Sequence, residues 1–527
     1  MNSNVSMDFF NKLLNYYNFD QKKYTEYTSI QNLNNIVLPS ITDKYFSKVI
    51  NKLKELVKTS DKVLIYGDYD VDGLTSTAIL FLTFKKLGKK CGYFIPSRYI
   101  DGYGLTKEKV EYFHSLEYKY IICVDNGITC FEEVELAKKL GMEIIIIDHH
   151  DILDSTPNTE YIFHHHLTKF VDYEVAASSL SLYVSYYLLN NTFDSYFVFL
   201  AGIGVLSDVM PLVGNNLLIL KNAYQNFIKE KYENISSLLP IENINYDSLS
   251  FNLISQLNAP GRIETDMMAT IKTCKFLIEK NDANQIKNIS KYLLDVNEKK
   301  KSLINSCKVL DEYTLSSTHS HSFVIDGITG INGLICSRFL NKYNHPILVC
   351  ASDYKDKSNY VCSIRSPIEY DLLEFINKNK KNMISFGGHK NSCGFTISKT
   401  KYFQIATSFA SEMENQFLSI NTSNKANYIE INFDDLNLAN YKIYESFMPF
   451  GNMHEKPLFK ISINRLNLRI TDKFIKATNS NSGEVVLFSN LESINSINNS
   501  SINFYGTMNK NVFNNKITVQ LIAQYID

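Results

Sequence analysis

Carboxylates and imidazoles stand at three places where an apolar run ends. Val63-Leu64-Ile65-Tyr66 leads into Gly67-Asp68-Tyr69-Asp70-Val71-Asp72-Gly73. Residues 120–124 end on Asp125-Asn126-Gly127, and Ile144-Ile145-Ile146-Ile147 end on Asp148-His149-His150-Asp151. Aspartate and histidine together make a hard-to-borderline donor set, suited to Mn²⁺, Mg²⁺ or Zn²⁺. Asp68, Asp70 and Asp72, at alternate positions in one turn, would repel one another unless a cation neutralised them. The D-x-D-x-D-G pattern also begins a calcium loop of EF-hand type, which needs a Glu at its twelfth position. That position, counted from Asp68, is Ile79. The run before the loop reads as a strand rather than a helix, so a metal site of another kind is expected.

The elements that must position these groups follow from patterning. Four isoleucines in a row read as a strand buried on both faces of a parallel sheet. Residues 75–86 and 131–140 read as the helices of successive β-α units. Right-handed crossovers bring the strand ends to one rim, where ligands of open α/β sheets bind. Asp70, Asp72, Asp125, His149 and His150 should therefore converge. Asp208, after the apolar run 198–206, is either a solvated helix end or a further ligand. His164-His165-His166 reads as a strand end with exposed side chains and receives no role.

Further along, residues 215–315 read as helical and lysine-rich, interrupted by Leu257-Asn258-Ala259-Pro260-Gly261-Arg262. A second α/β pattern covers strands at 322–326, 347–351, 360–364 and 394–397. It includes Gly387-Gly388-His389, where glycines let backbone approach a ligand. Beyond residue 420 the pattern changes to short strands, as in a small β-barrel. The expected domains are a cap over 1–60, a catalytic α/β domain over 61–235, a helical connector over 236–315, a smaller α/β domain over 316–420, and a barrel over 425–527.

Composition bounds the partners. The 527 residues suffice for about three or four domains. Lys+Arg 54 against Asp+Glu 55 gives a net charge of -1, so any nucleic-acid surface must be local. The 9 cysteines contain no C-x-x-C pair, and nothing at the N-terminus resembles a signal peptide. Reduced thiols in a cytoplasmic protein are expected. No apolar run approaches the roughly 18 residues a membrane helix needs, so no membrane partner is expected.

The ordered motifs resemble those of the DHH phosphoesterase superfamily, and within it the single-strand-specific 5′→3′ exonucleases. Residues 67–76, 124–127, Asp148-His149-His150 and 204–212 are similar to its four motifs in order. Ser97-Arg98, Gly102-Tyr103-Gly104-Leu105, residues 258–262, and Pro449-Phe450-Gly451-Asn452 resemble patterns of the exonuclease branch. Gly387-Gly388-His389 resembles the signature of the companion DHHA1 domain, and the barrel would be an OB-fold, with Phe459, Phe488, Phe504 and Tyr505 as candidates for base stacking and Lys460, Arg465, Arg469, Lys473 and Lys476 as candidates for phosphate contacts.

The resemblance implies metal-dependent hydrolysis of single-stranded DNA in repair and recombination. It implies two divalent ions, with Mn²⁺ favoured and Mg²⁺ possible. Asp68, Asp70 and Asp125 would hold one ion; Asp72, Asp125, His149 and Asp208 the other, with Asp125 bridging. His150 would face the scissile phosphate and Asp148 would orient a histidine. Arg98 and Arg365 are candidates for a phosphate clamp. Ser363, Gly387, Gly388, His389, Asn258 and Arg262 would also contact substrate. A single-strand-binding protein and a helicase are implied partners. The competing reading is a phosphodiesterase of the same superfamily acting on short oligonucleotides or cyclic dinucleotides. Two positions depart from the family pattern: Ala177-Ser178-Ser179-Leu180-Ser181 replaces a glycine-rich stretch, and Leu217 replaces an arginine. No further domain is expected after the barrel.

Overall fold

The computed structural model describes residues 2–29, 32–152, 155–279, 282–313, 319–367, 369–419, 427–471, 474–481, 483–488, 500–513 and 516–527. They form two compact units: residues 36–210 with 219–423, and residues 1–35 with 211–218 and 424–527.

The first unit begins with the parallel sheet that the isoleucine run predicts. Its strands are β1 (Lys62–Tyr66), β2 (Gly92–Phe94), β3 (Tyr118–Val124), β4 (Glu143–Ile147) and β5 (Ile162–Phe163), in the order β2-β1-β3-β4-β5. All four pairings are parallel. Ile144, Ile145, Ile146 and Ile147 are almost wholly buried because helices cover both faces. On one face Leu64, Ile121, Ile144 and Ile146 pack with Val110, Phe113, Val134 and Ala137. Helix Val71–Lys86, which follows β1, packs with helices Ala177–Leu188 and Ser195–Ser207. The strand order reverses between β1 and β3, and the crevice outside their carboxyl ends is where such sheets take ligands. Asp68 and Asp125 flank that crevice.

The same unit holds a mixed sheet of β6 (Lys308–Tyr313), β7 (His321–Asp326), β8 (Ile347–Ser352), β9 (Asn359–Arg365), β10 (Ser385–His389) and β11 (Ser392–Ser398). Its order is β10-β11-β9-β8-β7-β6, and only β7 and β8 run parallel.

Three expectations are corrected here. The connector does not run to 315, because residues 308–313 pair with β7 as an edge strand. The stretch 257–262 does not interrupt the helices: Ser255–Ile263 is a helix with Pro260 inside it, and Leu257, Ala259, Pro260 and Gly261 are all buried. Proline costs an exposed helix about 3 kcal/mol, and burial of this helix outweighs it. Gly387 and its neighbours lie on an exposed strand. The thiols are not all reduced: Cys350 and Cys362 stand opposite each other in the β8–β9 register, with Cα atoms 4.1 Å apart, and are joined as a disulfide.

The second unit is a mostly antiparallel sheet of β12 (Ile429–Glu430), β13 (Phe459–Asn464), β14 (Arg469–Ile470), β15 (Ile475–Thr478), β16 (Gly483–Leu487), β17 (Ser501–Phe513) and β18 (Lys516–Ile526). Its order is β12-β13-β17-β18-β16-β15-β14. Phe9 and Leu13, from helix Asn2–Tyr16, enter its core beside Phe459 and Phe504. The expected 1–60 cap is thus two things: residues 1–35 complete the C-terminal unit, while helix Phe46–Lys58 belongs to the first. No described helix is long and apolar enough to cross a membrane.

Candidate metal centre

The turn after β1 brings the first carboxylates together. Asp70 caps helix Val71–Lys86 by accepting from the Gly73 N–H at 3.1 Å, as short acidic side chains do at helix starts. Gly73 must lack a side chain, since a Cβ there would lie 2.6 Å from the Asp68 backbone nitrogen. Asp72, in the first helical turn, is buried and accepts from the N–H groups of Ala177 at 2.7 Å and Ser178 at 3.1 Å. The stretch Ala177-Ser178-Ser179-Leu180-Ser181 therefore holds Asp72 through backbone amides at the start of helix Ala177–Leu188. Gly204, on the neighbouring helix Ser195–Ser207, leaves the space that this carboxylate fills.

The end of β3 supplies the centre of the cluster. Asp125 has φ 61, a left-handed conformation that aspartate tolerates better than most residues. Its N–H still donates to Ile147 O at 3.1 Å, which turns the side chain into the crevice. The Asn126 amide donates to the carbonyls of Gly67 at 3.1 Å and Val124 at 2.8 Å, tying the ends of β1 and β3.

The end of β4 divides its two histidines. His149 is buried, with Nε2 at 3.1 Å from Asp125 Oδ1, 3.4 Å from Asp208 Oδ2 and 3.9 Å from Asp72 Oδ2. His150 turns away, a third of its side chain exposed, with Nδ1 at 2.8 Å from Asp148 Oδ1. Asp148 is fully buried and also accepts from the N–H groups of Ile128 at 3.0 Å and His149 at 2.8 Å. Asp208 caps the C-terminal end of helix Ser195–Ser207.

Donor atoms of Asp68, Asp70 and Asp125 lie within 4.8 Å of one another, as do those of Asp72, His149 and Asp208, and those of Asp125, His149 and His150. Electrostatics mark a site built for cations. Burial, then Asp70, pushes the Asp68 carboxyl up to about 8. Burial, opposed by the Ser178 hydrogen bond and aided by Asp70, pushes Asp72 up to about 6. Burial, then Asp72, raises Asp125 and Asp208 well above the carboxylate range. Burial holds His149 neutral, as a metal ligand must be. Asp68 Oδ1 is buried without a hydrogen-bond partner among the described residues. An oxygen donor set with such an orphan fits divalent cations.

A pH-dependence follows for the metal-free chain. The four raised carboxyls bind more protons folded than unfolded. Their destabilisation is absent below about pH 4, grows as pH rises, and for Asp68 is complete only above about 8. His149 acts in the opposite sense below its ordinary value but is a single group. The Tm gap between Mn²⁺-loaded and metal-free protein is therefore expected to widen from pH 5 to pH 8. A constant gap in a thermal melt series would contradict this.

The other sequence candidates divide into two sets. Arg98, Arg262 and Arg365 come together beside the crevice. Arg98 donates to Gly261 O at 3.2 Å and lies 4.1 Å over the Tyr69 ring. Arg365 donates to Ile364 O at 2.8 Å. Burial, then Arg98, pushes Arg262 down to about 10. None of the three forms an ion pair among the described residues. Asn258 does scaffolding instead: its Oδ1 accepts from Val71 N–H at 3.1 Å. Ser363 lies on β9 between β8 and β11. Gly387, Gly388 and His389 are exposed on β10, and His389 Nδ1 is 3.2 Å from Asp151 Oδ2, one residue beyond the histidine pair. Sequence reasoning missed Tyr103, whose hydroxyl is 3.0 Å from His150 Nδ1 and 3.3 Å from Asp125 O. Its place between two glycines was the available signal.

Residues 62–197 match the DHH family, N-terminal domain, and residues 429–525 match the RecJ OB domain. The single-stranded-DNA-specific exonuclease RecJ of Bacillus subtilis is 24% identical over 515 residues, covering 91% of this chain and 63% of its own length. The chain thus spans under two thirds of that relative. RecJ of Escherichia coli is 24% identical over 454 residues, covering 78% of this chain and 77% of its own. The crystal structure of Thermus thermophilus RecJ in complex with Mn²⁺ superposes with a TM-score of 0.78 at 17% identity, covering 99% of this chain and 78% of that one.

Proposed function

We propose that this chain, a RecJ-type member of the DHH superfamily that joins a DHH domain to a RecJ OB domain, is a metal-dependent 5′→3′ exonuclease of single-stranded DNA serving repair and recombination. One observation carries the reading: a crevice of five buried or half-buried carboxylates and a neutral histidine lies beside three arginines that form no ion pair among the described residues. The first set suits divalent cations and the second suits phosphate.

In this reading Asp68, Asp70 and Asp125 hold one ion. Asp72, Asp125, His149 and Asp208 hold the other, and Asp125 is shared. Mn²⁺ is favoured by the mixed oxygen and imidazole donors, with Mg²⁺ possible. A bound pair of ions supplies an activated water and charge neutralisation at the phosphoryl group. The chain's own residues do the rest. Asp148 accepts the Nδ1–H of His150 and so directs Nε2 toward substrate. In the metal-free chain Asp148, against the lowering effect of burial, pushes His150 up to about 9; a protonated ring held there can donate to a phosphoryl oxygen. The Tyr103 hydroxyl lies within hydrogen-bond reach of both ring nitrogens, 3.0 Å from Nδ1 and 3.2 Å from Nε2. Arg98, Arg262 and Arg365 anchor phosphates, and His389 with Gly387 and Gly388 approaches the next nucleotide.

In the second unit Tyr505 and Tyr525 stack at 4.7 Å, Tyr428 packs edge-on against Tyr505, and Lys460 lies over Tyr428. Such a face supports stacking of single-strand bases. Phe459 and Phe504 are core and cannot contribute, whereas Phe488 is exposed. Lys460 and Lys476 pair with Glu430 and Glu484, and Lys473 lies outside the described residues.

The deciding experiment digests strands labelled at the 5′ or the 3′ end, as DNA and as RNA, with Mn²⁺ or Mg²⁺. Mononucleotide release from the 5′ end of DNA is expected. Release only from 3′ ends, or no digestion of strands beyond a few nucleotides, would overturn the reading. The arginines give a finer test. Arg98→Ala and Arg365→Ala are expected to lower kcat/KM on 5′-phosphorylated strands by about ten- to a hundredfold, the worth of one or two hydrogen bonds to charge. 5′-hydroxyl strands should suffer less. Equal losses on both would remove the terminal-phosphate role.

A further inference from the structure

His164-His165-His166 is not the exposed strand end that its sequence suggests. His164 and His165 are buried, and the short helical turn His165–Thr168 follows β5 directly. Lys169, at φ 50, reverses the chain after this turn, and Glu174 comes back against the two rings. His165 Nε2 lies 2.8 Å from Glu174 Oε2, and His166 Nε2 lies 3.3 Å from Glu174 Oε1. The two rings are 4.0 Å apart at their centroids.

We propose that His165, His166 and Glu174 form a transition-metal site of their own, separate from the DHH crevice, that takes Zn²⁺ or a cation of like preference. Three donor atoms, one from each residue, lie within 4.8 Å of one another. A tetrahedral zinc with bonds of about 2.0–2.1 Å sets neighbouring donors about 3.4 Å apart, so small side-chain adjustments suffice. Two imidazoles and a carboxylate with a fourth position left for water is a donor set that zinc accepts.

A second observation points to a ligand. His165 is 1% exposed; its Nδ1 has no hydrogen-bond partner among the described residues, and its Nε2 faces the Glu174 carboxylate at 2.8 Å. A cation held between Nε2 and that carboxylate would take the place of a proton shared by the two. His166 and Glu174 are each about half exposed at 48%, which gives an ion a way in.

The site shares no donor with the DHH cluster, but it touches the same turn. The His166 N–H donates to His164 Nδ1 at 3.2 Å, which leaves the His164 proton on Nε2. That Nε2–H donates to the carbonyl of His150 at 2.8 Å. An ion on His165 and His166 would therefore pin the turn that holds the backbone of the histidine pair.

The test counts Zn²⁺ in the full-length chain. Metal-free protein is loaded with Zn²⁺, desalted and measured by mass spectrometry, for wild type, Asp125→Asn, His166→Ala and Glu174→Gln. Wild type and Asp125→Asn should carry one equivalent that His166→Ala and Glu174→Gln lack, or bind at least tenfold more weakly. Equal zinc content and affinity in wild type and Glu174→Gln, or loss of that equivalent only with Asp125→Asn, would overturn the proposal. A measurement on wild type alone guards against misfolded variants. Zn²⁺ should protect His166 from acylation by diethyl pyrocarbonate, read by peptide mapping; equal modification with and without Zn²⁺ also overturns it.

Discussion

Asp125→Asn is expected to retain no more than about a thousandth of wild-type turnover with Mn²⁺, while single-strand binding largely survives. Each divalent ion contributes several kcal/mol of charge stabilisation in phosphoryl hydrolysis, and a loss of about 4 kcal/mol is about a thousandfold. Asp125 stands where both donor groups meet: its carboxylate belongs with Asp68 and Asp70 on one side and with His149 on the other. Removing one charge there weakens both sides together, whereas Asp208→Asn at the half-exposed rim disturbs only one. The amide is the right replacement because Asn, like Asp, tolerates the left-handed backbone at φ 61. Asp125→Ala should give the same loss of activity with an added cost in stability. The check is a steady-state assay beside a metal count and a strand-binding titration. Turnover above a few per cent of wild type would show that Asp125 is not shared between ions.

The rim of the parallel sheet was legible because its logic is local. An apolar run sets a buried strand, and the first polar residues after it must stand at the carboxyl edge. Asp70, Asp72, Asp125, His149 and His150 needed nothing else to be placed together. Asp208 needed a resemblance, because a helix end does not reveal which way a side chain turns. The amides of Ala177 and Ser178 on Asp72 could not be read, since backbone donors carry no sequence signature. The three arginines come from segments far apart in the chain, and only packing around the buried helix Ser255–Ile263 unites them. Pro260 and Gly261 disguised that helix, because local propensity there opposes a tertiary requirement: Gly261 sits where a Cβ would lie 2.7 Å from Tyr69 O. In the C-terminal unit alternation predicted strands, but the same alternation decides which aromatics are core. Phe459 and Phe504 point inward and Tyr525 outward, a register that sequence alone leaves open.

His150→Ala is expected to lower turnover by about a hundred- to ten-thousandfold, the usual worth of a positioned proton donor, and to leave metal content unchanged. His149→Ala should instead lose metal, and with it activity. The two rings are adjacent in sequence, so the difference rests on environment. His149 is buried against Asp125 and Asp208, and burial keeps it neutral with Nε2 available to an ion. His150 is partly exposed, and although burial alone would lower it, Asp148 raises it to about 9. Asp148 has the reciprocal property: despite its burial, His150 and then His149 hold its carboxyl well below the carboxylate range. The sign of the linkage follows from the raised histidine. In the metal-free chain the pair's stabilisation is complete between about pH 4 and pH 6.5 and is lost as pH rises toward 9. His150→Ala should therefore flatten the fall in Tm between about pH 6.5 and 9. Asp148→Asn tests the same pair from the other side: it should lower turnover by freeing the ring to rotate, again with metal retained. Metal analysis of the purified variants decides the matter. Equal metal loss in His149→Ala and His150→Ala would mean that both rings are ligands, and the proton-donor role would fall.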